Sequence, residues 1–469
     1  MDRLIALYRA WGRGDRRALP ATLGGRFRLL LGVALLAVVV AGLLKDLEYQ
    51  RSVKGLIPSD DIFAYECYSR AFWRGEQALV DAPHTVLCAD HRWKFWITPP
   101  RAIYTLPREY PAPAIFVFSL PLLIPWAPFA LAYMALMGLL TLGVVAWMAH
   151  RRLLLCGAAF ALYALVGGWA TLLARFDLVP GVLVLATLVL AERGRWTPAY
   201  LVLAVATLLK LYPVLALPIL LIAQWRYTGV RPWRGLGVSA LALAAGLVPF
   251  ALLNPAAFLA PFTYNGLRPP QIESLAGSLL WLSGEVGGNV RVILTYHSVN
   301  VVGMFADVAA WLASALLIVG TLLVYWRAWV GRDDLGRSLV LVLLVTLCGS
   351  KLLSPQYLLW IFPTVAYVEG LRLRWLLVAA LTVLIYPYGY SLDNSLVHLP
   401  NHPLFMGAIL ARNGALLFLA VLYLQPRQLL ANAGRDRARA PAQERARARM
   451  WPAAAGRSHS DGAYERASR

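Results

Sequence analysis

Long apolar runs separated by short basic loops occupy most of the chain. A helix needs about 20 apolar residues to cross the hydrocarbon core of a bilayer, and several runs come close to this length. They cover residues 27–44, 126–149, 152–168, 170–191, 235–253, 305–326, 375–390 and 404–425. The pattern predicts an all-α polytopic membrane protein.

Two further runs are interrupted by a lysine with a proline shortly after it. Lys210 breaks the run 197–224, and Lys351 breaks the run 338–367. Each run is either one long tilted span or a hairpin of two short helices. The hairpin interpretation places every arginine-bearing short loop and both chain ends in the cytoplasm, where Lys and Arg are expected, and gives about 12 spans.

Three polar stretches then lie on the extracytoplasmic side: a large first loop, 45–110, followed by 254–301 and 393–402. The apolar stretch 111–128 is interrupted by prolines and is predicted to be re-entrant or interfacial, since broken backbone at membrane depth needs protein cover. The membrane domain is therefore predicted to cover residues 27–425.

Charge is concentrated outside the apolar runs. Only 14% of the 469 residues are charged, against roughly 25% in soluble domains, yet the net charge is +20. Part of it lies in two predicted cytoplasmic tails, 1–26 and the arginine-rich 426–469. The second has too few large apolar residues to build a core, so it is predicted to be disordered and to contact anionic lipid. This distribution indicates membrane lipids as partners and argues against nucleic acid.

The chain has four cysteines. Cys156 and Cys348 fall inside apolar runs, where a thiol most simply packs as a core residue. Cys67 and Cys88 share the loop 45–110 and would form a disulfide if that loop faces an oxidising compartment, although sequence alone does not give the geometry such a bond needs. No metal-ligand spacing is found, and no metal or cofactor is predicted.

Ionisable residues beside the apolar runs are the candidate functional residues. A charge at membrane depth is energetically costly, so it usually has an ion-pair partner or a function. Asp60 and Asp61 follow the first run, where either carboxylate is placed to act as a general base. The alternative is a helix N-cap, because Ser and Asp before residues at helical spacing are a capping signature.

Further charged residues are predicted on the same side of the membrane. Arg175 and Asp177 form either a structural ion pair between helices or a site for a phosphate or sugar hydroxyls. Lys210 and Lys351 are suited to hold a phosphate as point charges, although a lysine that only snorkels to the interface looks the same in sequence.

Polar groups in the stretch 254–301 complete the candidate site. Gln271, Glu273 and Ser274 precede a short apolar run and offer the amide, carboxylate and hydroxyl partners that bind sugar hydroxyls. His297 either contacts phosphate or is a loop histidine without a role. No nucleophile with a neighbouring histidine and no phosphate-binding glycine loop is found, which argues against hydrolases and nucleotide-driven motors.

Six short segments stand in order along residues 59–360: Asp61-Ile-Phe-Ala-Tyr65, Glu109-Tyr-Pro111-Ala-Pro113, Arg175-Phe-Asp177-Leu-Val-Pro180, Lys210-Leu-Tyr-Pro213, Gln271-Ile-Glu-Ser274 and Ser354-Pro-Gln356-Tyr357. Together they resemble the family 87 glycosyltransferases, which are membrane-embedded enzymes of the GT-C type. No single segment is specific, but the ordered set is. The extra Asp60 and the separated prolines 111 and 113 depart from the family pattern.

The resemblance implies a GT-C fold and an enzyme that moves a hexose, typically mannose, from a polyprenyl-phosphate donor to a lipid or glycan acceptor. By similarity Asp61 is the base, with Asp60 in reserve, and a direct displacement predicts inversion. Gln356 and Tyr357 join the predicted substrate-binding residues through the same resemblance. The predicted location is the bacterial plasma membrane. A transporter or flippase for a lipid-linked or polar substrate is the alternative, since it too uses broken helices and charges at membrane depth.

Overall fold

A computed structural model of the chain describes residues 25–54, 60–75, 88, 95–96, 103, 105–150, 154–287, 289–296, 298–393 and 395–425, apart from the side chains of 25–28, 51–54, 60 and 95–96. The chain divides into one unit from Met1 to Leu422 and a terminal unit from Tyr423 to Arg469. His297, most of the terminal unit and nearly all of both predicted tails lie outside the described residues.

Six of the described helices are long and apolar enough to cross a membrane. These stretches are Leu29–Gln50, Phe129–His150, Trp233–Leu253, Ala306–Trp329, Leu373–Ser391 and Pro403–Leu424. Shorter apolar helices lie between some of them in sequence. The predicted all-α polytopic membrane protein is confirmed, and the count of about 12 spans stays a prediction.

The helices are numbered in chain order. They are α1 Gly25–Lys54, α2 Asp60–Arg74, α3 Ala114–Phe118, α4 Phe129–His150, α5 Leu154–Gly167, α6 Leu178–Glu192, α7 Trp196–Leu209, α8 Leu217–Thr228, α9 Trp233–Leu253, α10 Pro255–Leu267, α11 Leu275–Glu285, α12 Ala306–Trp329, α13 Leu335–Gly349, α14 Phe362–Glu369, α15 Leu373–Val383 and α16 Pro403–Leu424. The strands are β1 Phe95–Trp96, β2 Leu106–Pro107, β3 Val290–Thr295 and β4 Ser298–Gly303.

Burial distinguishes a central helix from peripheral ones. Every residue of α13 from Ser338 to Gly349 is buried. In α9, by contrast, Leu241 and Leu252 are 73% and 78% exposed. A helix that is apolar on all sides belongs either in a protein core or against lipid, so α13 forms part of the core and α9 faces the bilayer.

Both lysine-interrupted runs have the same local build. α7 ends at Leu209, Lys210 is extended, and a 3-10 turn over Tyr212–Ala216 leads into α8. α13 likewise ends before a 3-10 turn over Pro355–Trp360, which leads to α14. Each 3-10 turn has one proline, at its first or second position: Pro213 in one turn and Pro355 in the other. Proline lacks an N–H and fixes φ, so it cannot continue the preceding helix but readily starts the next turn.

The segment between α2 and α4 contains no described helix that is long enough to span the membrane. β1 and β2 pair antiparallel, and a disulfide joins Cys67 of α2 to Cys88. Between Pro111 and Pro128 the chain forms only the five-residue α3 and a 3-10 turn over Leu120–Leu123.

The stretch between α9 and α12 is also structured. β3 and β4 form an antiparallel hairpin, and Gln271 pairs with Asn300 beside it. Val299 and Val301 of β4 pack into a buried apolar cluster with Phe405 of α16. Ile272, the residue after Gln271, belongs to the same cluster, so the hairpin and the last helix together fix the position of this segment.

Candidate active site

A cavity of about 420 Å³ lies where these irregular segments meet. Its wall combines the start of α2, the turn before α6, both lysine-interrupted runs and the residues between α10 and α11. Of the residues singled out from the sequence, the wall includes Asp61, Arg175, Lys210, Gln271, Glu273, Gln356 and Tyr357. The fold thus brings together polar groups that are far apart in the chain.

Asp61 and Arg175 form an ion pair on this wall. Asp61 lies in the first turn of α2, and Nη1 of Arg175 contacts its Oδ2. Only 12% of the Asp61 side chain and 22% of the Arg175 side chain are exposed, so water screens the pair less than it would at the surface. Behind the pair, Tyr65 stacks on Phe118 with ring centroids 4.3 Å apart. These buried rings hold α2 so that the Asp61 carboxylate faces the cavity.

The turn that carries Arg175 is held by α1. Ala170 has a φ of 66°, a conformation that costs about 1–3 kcal/mol in a residue with a Cβ. Asp46 accepts hydrogen bonds from the N–H groups of Ala170 at 3.2 Å and Leu173 at 3.4 Å. Gln50 Nε2 donates to the Ala170 carbonyl at 2.9 Å. These contacts stabilise the unusual turn and so fix the position of Arg175.

The ammonium group of Lys210 is surrounded by aromatic rings and one carboxylate. Its Nζ lies 2.5 Å from Oδ1 of Asp177 and 4.8 and 4.9 Å from the ring centroids of Tyr357 and Trp360. Two further rings lie slightly farther away. Trp360 Nε1 donates to the same Asp177 oxygen at 2.6 Å. Asp177 is 1% exposed and lies behind the cavity wall, where it is a counterion for Lys210.

Two glycines allow close approaches that shape the wall. A Cβ on Gly181 of α6 would lie 2.4 Å from the Leu359 carbonyl oxygen, so glycine lets α6 pack against the turn that carries Trp360. A Cβ on Gly277 of α11 would lie 1.9 Å from the Gln271 carbonyl oxygen. A side chain at either position would push the adjacent wall residues out of place.

Gln271 is fixed by both backbone and side-chain hydrogen bonds. Its N–H donates to the Lys351 carbonyl at 2.9 Å, and its Nε2 donates to Ser354 Oγ at 2.9 Å. Ser274 Oγ donates to the Gln271 carbonyl at 2.7 Å and accepts from the Gly277 N–H at 2.9 Å. Ser274 is therefore the N-cap of α11 and lies away from the cavity wall.

Glu273 is held by the last helix. Arg412 of α16 places Nη1 3.3 Å from Glu273 Oε2, and the Tyr390 hydroxyl donates to Oε1 at 2.7 Å. Asn413 donates to the Glu273 carbonyl at 3.1 Å. Burial raises the pKa of the Glu273 carboxyl, although Arg412 and Tyr390 act against this rise. Because Arg412 and Tyr390 already bind both carboxylate oxygens, Glu273 shapes this end of the cavity.

Lys351 lies outside the cavity wall. Its Nζ donates to the Gly266 carbonyl at 2.7 Å. Burial lowers the pKa of this ammonium group, and the nearby Arg268 guanidinium lowers it further. The side chains of two other predicted residues are not described. Asp60 begins α2, but its side chain lies outside the described residues, and His297 lies outside them entirely.

The wall also contains groups that the sequence did not single out as site residues. Glu109 accepts a hydrogen bond from the Tyr264 hydroxyl at 2.9 Å, and both side chains line the cavity. Glu109 belongs to one of the six ordered segments, so that signal was available. Arg412 does not line the cavity but binds Glu273, which does. It interrupts an apolar run, and a charged residue in such a run usually has a binding partner or a function. Among the described residues, no group of His, Cys, Asp or Glu side chains is arranged to hold a metal ion.

Comparison with known proteins identifies a family for this chain. A family model described as glycosyltransferase family 87 matches residues 109–355. No curated protein sequence and no solved structure matches the chain. The matched range contains Arg175, Lys210 and Gln271, and it lies between Asp61 and Gln356 of the cavity wall.

Proposed function

Because this chain belongs to glycosyltransferase family 87 and is a membrane glycosyltransferase, we propose that it moves a hexose from a polyprenyl-phosphate donor to a lipid or glycan acceptor. Mannose is the first candidate for the hexose. The transfer occurs on the extracytoplasmic side of the bacterial plasma membrane, with both chain ends in the cytoplasm.

The contact between Asp61 and Arg175 carries this proposal. A transferase with a phosphate leaving group needs a base for the acceptor hydroxyl and a cation for the phosphate, close to one another. The cavity wall supplies both within one ion pair, and Lys210 lines the same cavity.

The reaction is a direct displacement. Asp61 takes the proton from an acceptor hydroxyl while that oxygen forms a bond to the anomeric carbon of the sugar. The bond between this carbon and the phosphate oxygen breaks, and polyprenyl phosphate leaves with the bonding electrons. Attack and departure occur on opposite faces of the sugar ring, so the anomeric configuration inverts.

Arg175 has two roles in this scheme. Without substrate, its guanidinium neutralises Asp61. The donor phosphate is a diester with one negative charge, and it is expected to compete for the same guanidinium, because Arg binds phosphate oxygens in a bidentate manner. The phosphate gains a second negative charge as its bond to the sugar breaks, which strengthens this contact. As Arg175 turns to the phosphate, the Asp61 carboxylate becomes free to accept a proton. Lys210 adds positive charge nearby while Asp177 keeps it in place.

Sugar hydroxyls require neutral and anionic hydrogen-bond partners on the same wall. Gln271, Gln356 and Glu109 line the cavity and are suited to this role. Holding the sugar in one orientation is worth several kcal/mol of the barrier, so small displacements of these groups should reduce the rate.

The disulfide between Cys67 and Cys88 supports the proposed side of the membrane. Disulfides persist in oxidising compartments and are rare in the cytosol. Since Cys67 lies on α2, the same helix as Asp61, the cavity belongs on the oxidising side.

Sugar transfer by the purified protein tests the proposal. Wild type, Asp61→Asn and the matched control Asp60→Asn are compared in detergent with radiolabelled polyprenyl-phosphate mannose and a membrane lipid extract. Losing a general base costs about 10²- to 10⁴-fold in rate, so Asp61→Asn should lose transfer by that factor while Asp60→Asn retains it.

Donor binding is measured in parallel by retention of the labelled lipid. Asp61→Asn should still bind donor, which separates loss of the base from loss of the site. If wild type binds the donor but transfers no sugar from any polyprenyl-phosphate sugar supplied, the proposed donor class is wrong. If Asp60→Asn is the inactive variant, Asp61 is not the base.

A further inference from the structure

A second pocket lies at the other end of α2, away from Asp61. It has a volume of about 220 Å³ and is formed by the last turns of α2 and by the proline-rich turn that precedes α4. Arg70, Trp73 and Arg74 line one side, and residues from Pro121 to Phe129 line the other. We call it the arginine pocket.

We propose that the arginine pocket binds the phosphate headgroup of an anionic membrane phospholipid. The proposal goes beyond the transfer reaction and does not depend on it.

Among the described residues, the positive charge at the pocket exceeds the negative charge. Arg70 uses Nε and Nη2 to bind a single oxygen of Glu66, at 2.9 and 2.8 Å. A guanidinium has five N–H donors, so Arg70 retains donors for a ligand. Arg74 lies one helical turn further on, is exposed, and forms no ion pair with a described residue. Counted over the part of the chain that the structure describes, two arginines and one carboxylate give a net positive site that suits a phosphate.

The pocket also lies at the depth of lipid headgroups. Phe129, on its wall, is the first residue of a membrane-crossing helix. Trp73 and Trp126, in and beside the pocket, are 48% and 83% exposed, and tryptophan is enriched where the bilayer meets water. Leu123, in the turn that forms one side of the pocket, is 74% exposed, which suits contact with acyl chains. The pocket therefore places positive charge where the lipid phosphate would lie and apolar surface where the acyl chains would lie.

The geometry of the pocket is fixed before any lipid arrives. Trp73 Nε1 donates to Ser119 Oγ at 2.8 Å, and Ser119 Oγ donates to the Ile115 carbonyl at 2.7 Å. This chain of hydrogen bonds joins α2 to α3 and thus sets the distance between the arginines and the proline-rich turn.

Native mass spectrometry of the full-length protein from detergent tests the site. The probes are phosphatidylglycerol and diacylglycerol with the same acyl chains, and the variants are Arg74→Gln and Arg231→Gln. Arg231 is the matched control, because it is also exposed and also lies close to an exposed tryptophan, Trp233, but it does not line the arginine pocket.

Wild type should retain one phosphatidylglycerol molecule more tightly than diacylglycerol. Arg74→Gln should weaken that binding roughly tenfold, the effect of losing one charge-assisted hydrogen bond, and Arg231→Gln should leave it unchanged. Equal retention of the two lipids by wild type, or an equal loss in both variants, would overturn the proposal. So would unchanged binding in Arg74→Gln.

Discussion

Lys210 and Lys351 each lie between the end of a helix and a proline-containing 3-10 turn, yet their ammonium groups have different neighbours. Lys210 faces the cavity with a carboxylate and aromatic rings around it. Lys351 does not line the cavity and donates to the backbone carbonyl of Gly266. A lysine at a proline-broken helix therefore becomes a site residue only where the surrounding helices supply a counterion.

The counterion also determines how much the fold depends on each lysine. Asp177 is almost fully buried and relies on Lys210 for charge compensation. The Gly266 carbonyl is neutral and its residue is exposed, so water can replace Lys351. The first lysine should therefore affect both stability and activity, and the second should affect neither strongly.

The largest effect is expected from Lys210→Met. It leaves the Asp177 carboxylate buried without a cation, which costs about 3–5 kcal/mol in comparable cases, and it removes positive charge from the cavity. Thermal unfolding in detergent should show the loss of stability, and sugar transfer should fall below detection. A loss of less than about 1 kcal/mol would mean that Asp177 does not need Lys210.

Adding Asp177→Asn to Lys210→Met separates stability from activity. The amide removes the buried charge, and its oxygen still accepts the hydrogen bond from Trp360. Unfolding of the double variant should recover most of the lost stability, because contacting residues couple by about 0.5–3 kcal/mol. Transfer should stay lost. Recovery of transfer together with stability would show that Lys210 serves only the fold.

Trp360→Phe should have an intermediate effect. It removes one hydrogen bond to Asp177 while keeping a ring close to Lys210 and to Tyr212, whose centroid lies 4.2 Å from that of Trp360. The expected cost is about 1–2 kcal/mol in unfolding free energy. Tyr357→Phe is the control, since it keeps the ring beside Lys210 and leaves the Asp177 hydrogen bonds intact. Equal losses in both variants would contradict this explanation.

The smallest effect is expected from Lys351→Met. It removes a hydrogen bond from a partly exposed side chain, so the stability should change by no more than about 1 kcal/mol. Transfer should remain within a small factor of wild type. A loss of transfer as deep as that of Lys210→Met would remove the distinction between the two lysines.

The sequence was sufficient to predict the membrane helices and several charged residues of the cavity wall, among them Asp61, Arg175 and Lys210. Their partners were not predictable, because α1, α6 and α16 meet the site through contacts between residues far apart in the chain. Asp177 was predicted either to pair with Arg175 or to bind substrate. In the structure Arg175 pairs with Asp61, and Asp177 binds Lys210 and Trp360, which lies 183 residues later. Ser274 was different: a serine before an apolar run is a capping signature, and this simpler explanation is the one that the structure supports.

The matched family sequence and the set of contacts that builds the cavity have different boundaries. Residues 109–355 match the family model, but a fragment trimmed to them would lack Asp61, the Asp46 bonds that hold the Arg175 turn, and the Arg412 that holds Glu273. The shortest piece of this chain that retains these contacts runs from Asp46 to Arg412. Searches for distant relatives should therefore compare the flanking helices as well as the conspicuous middle.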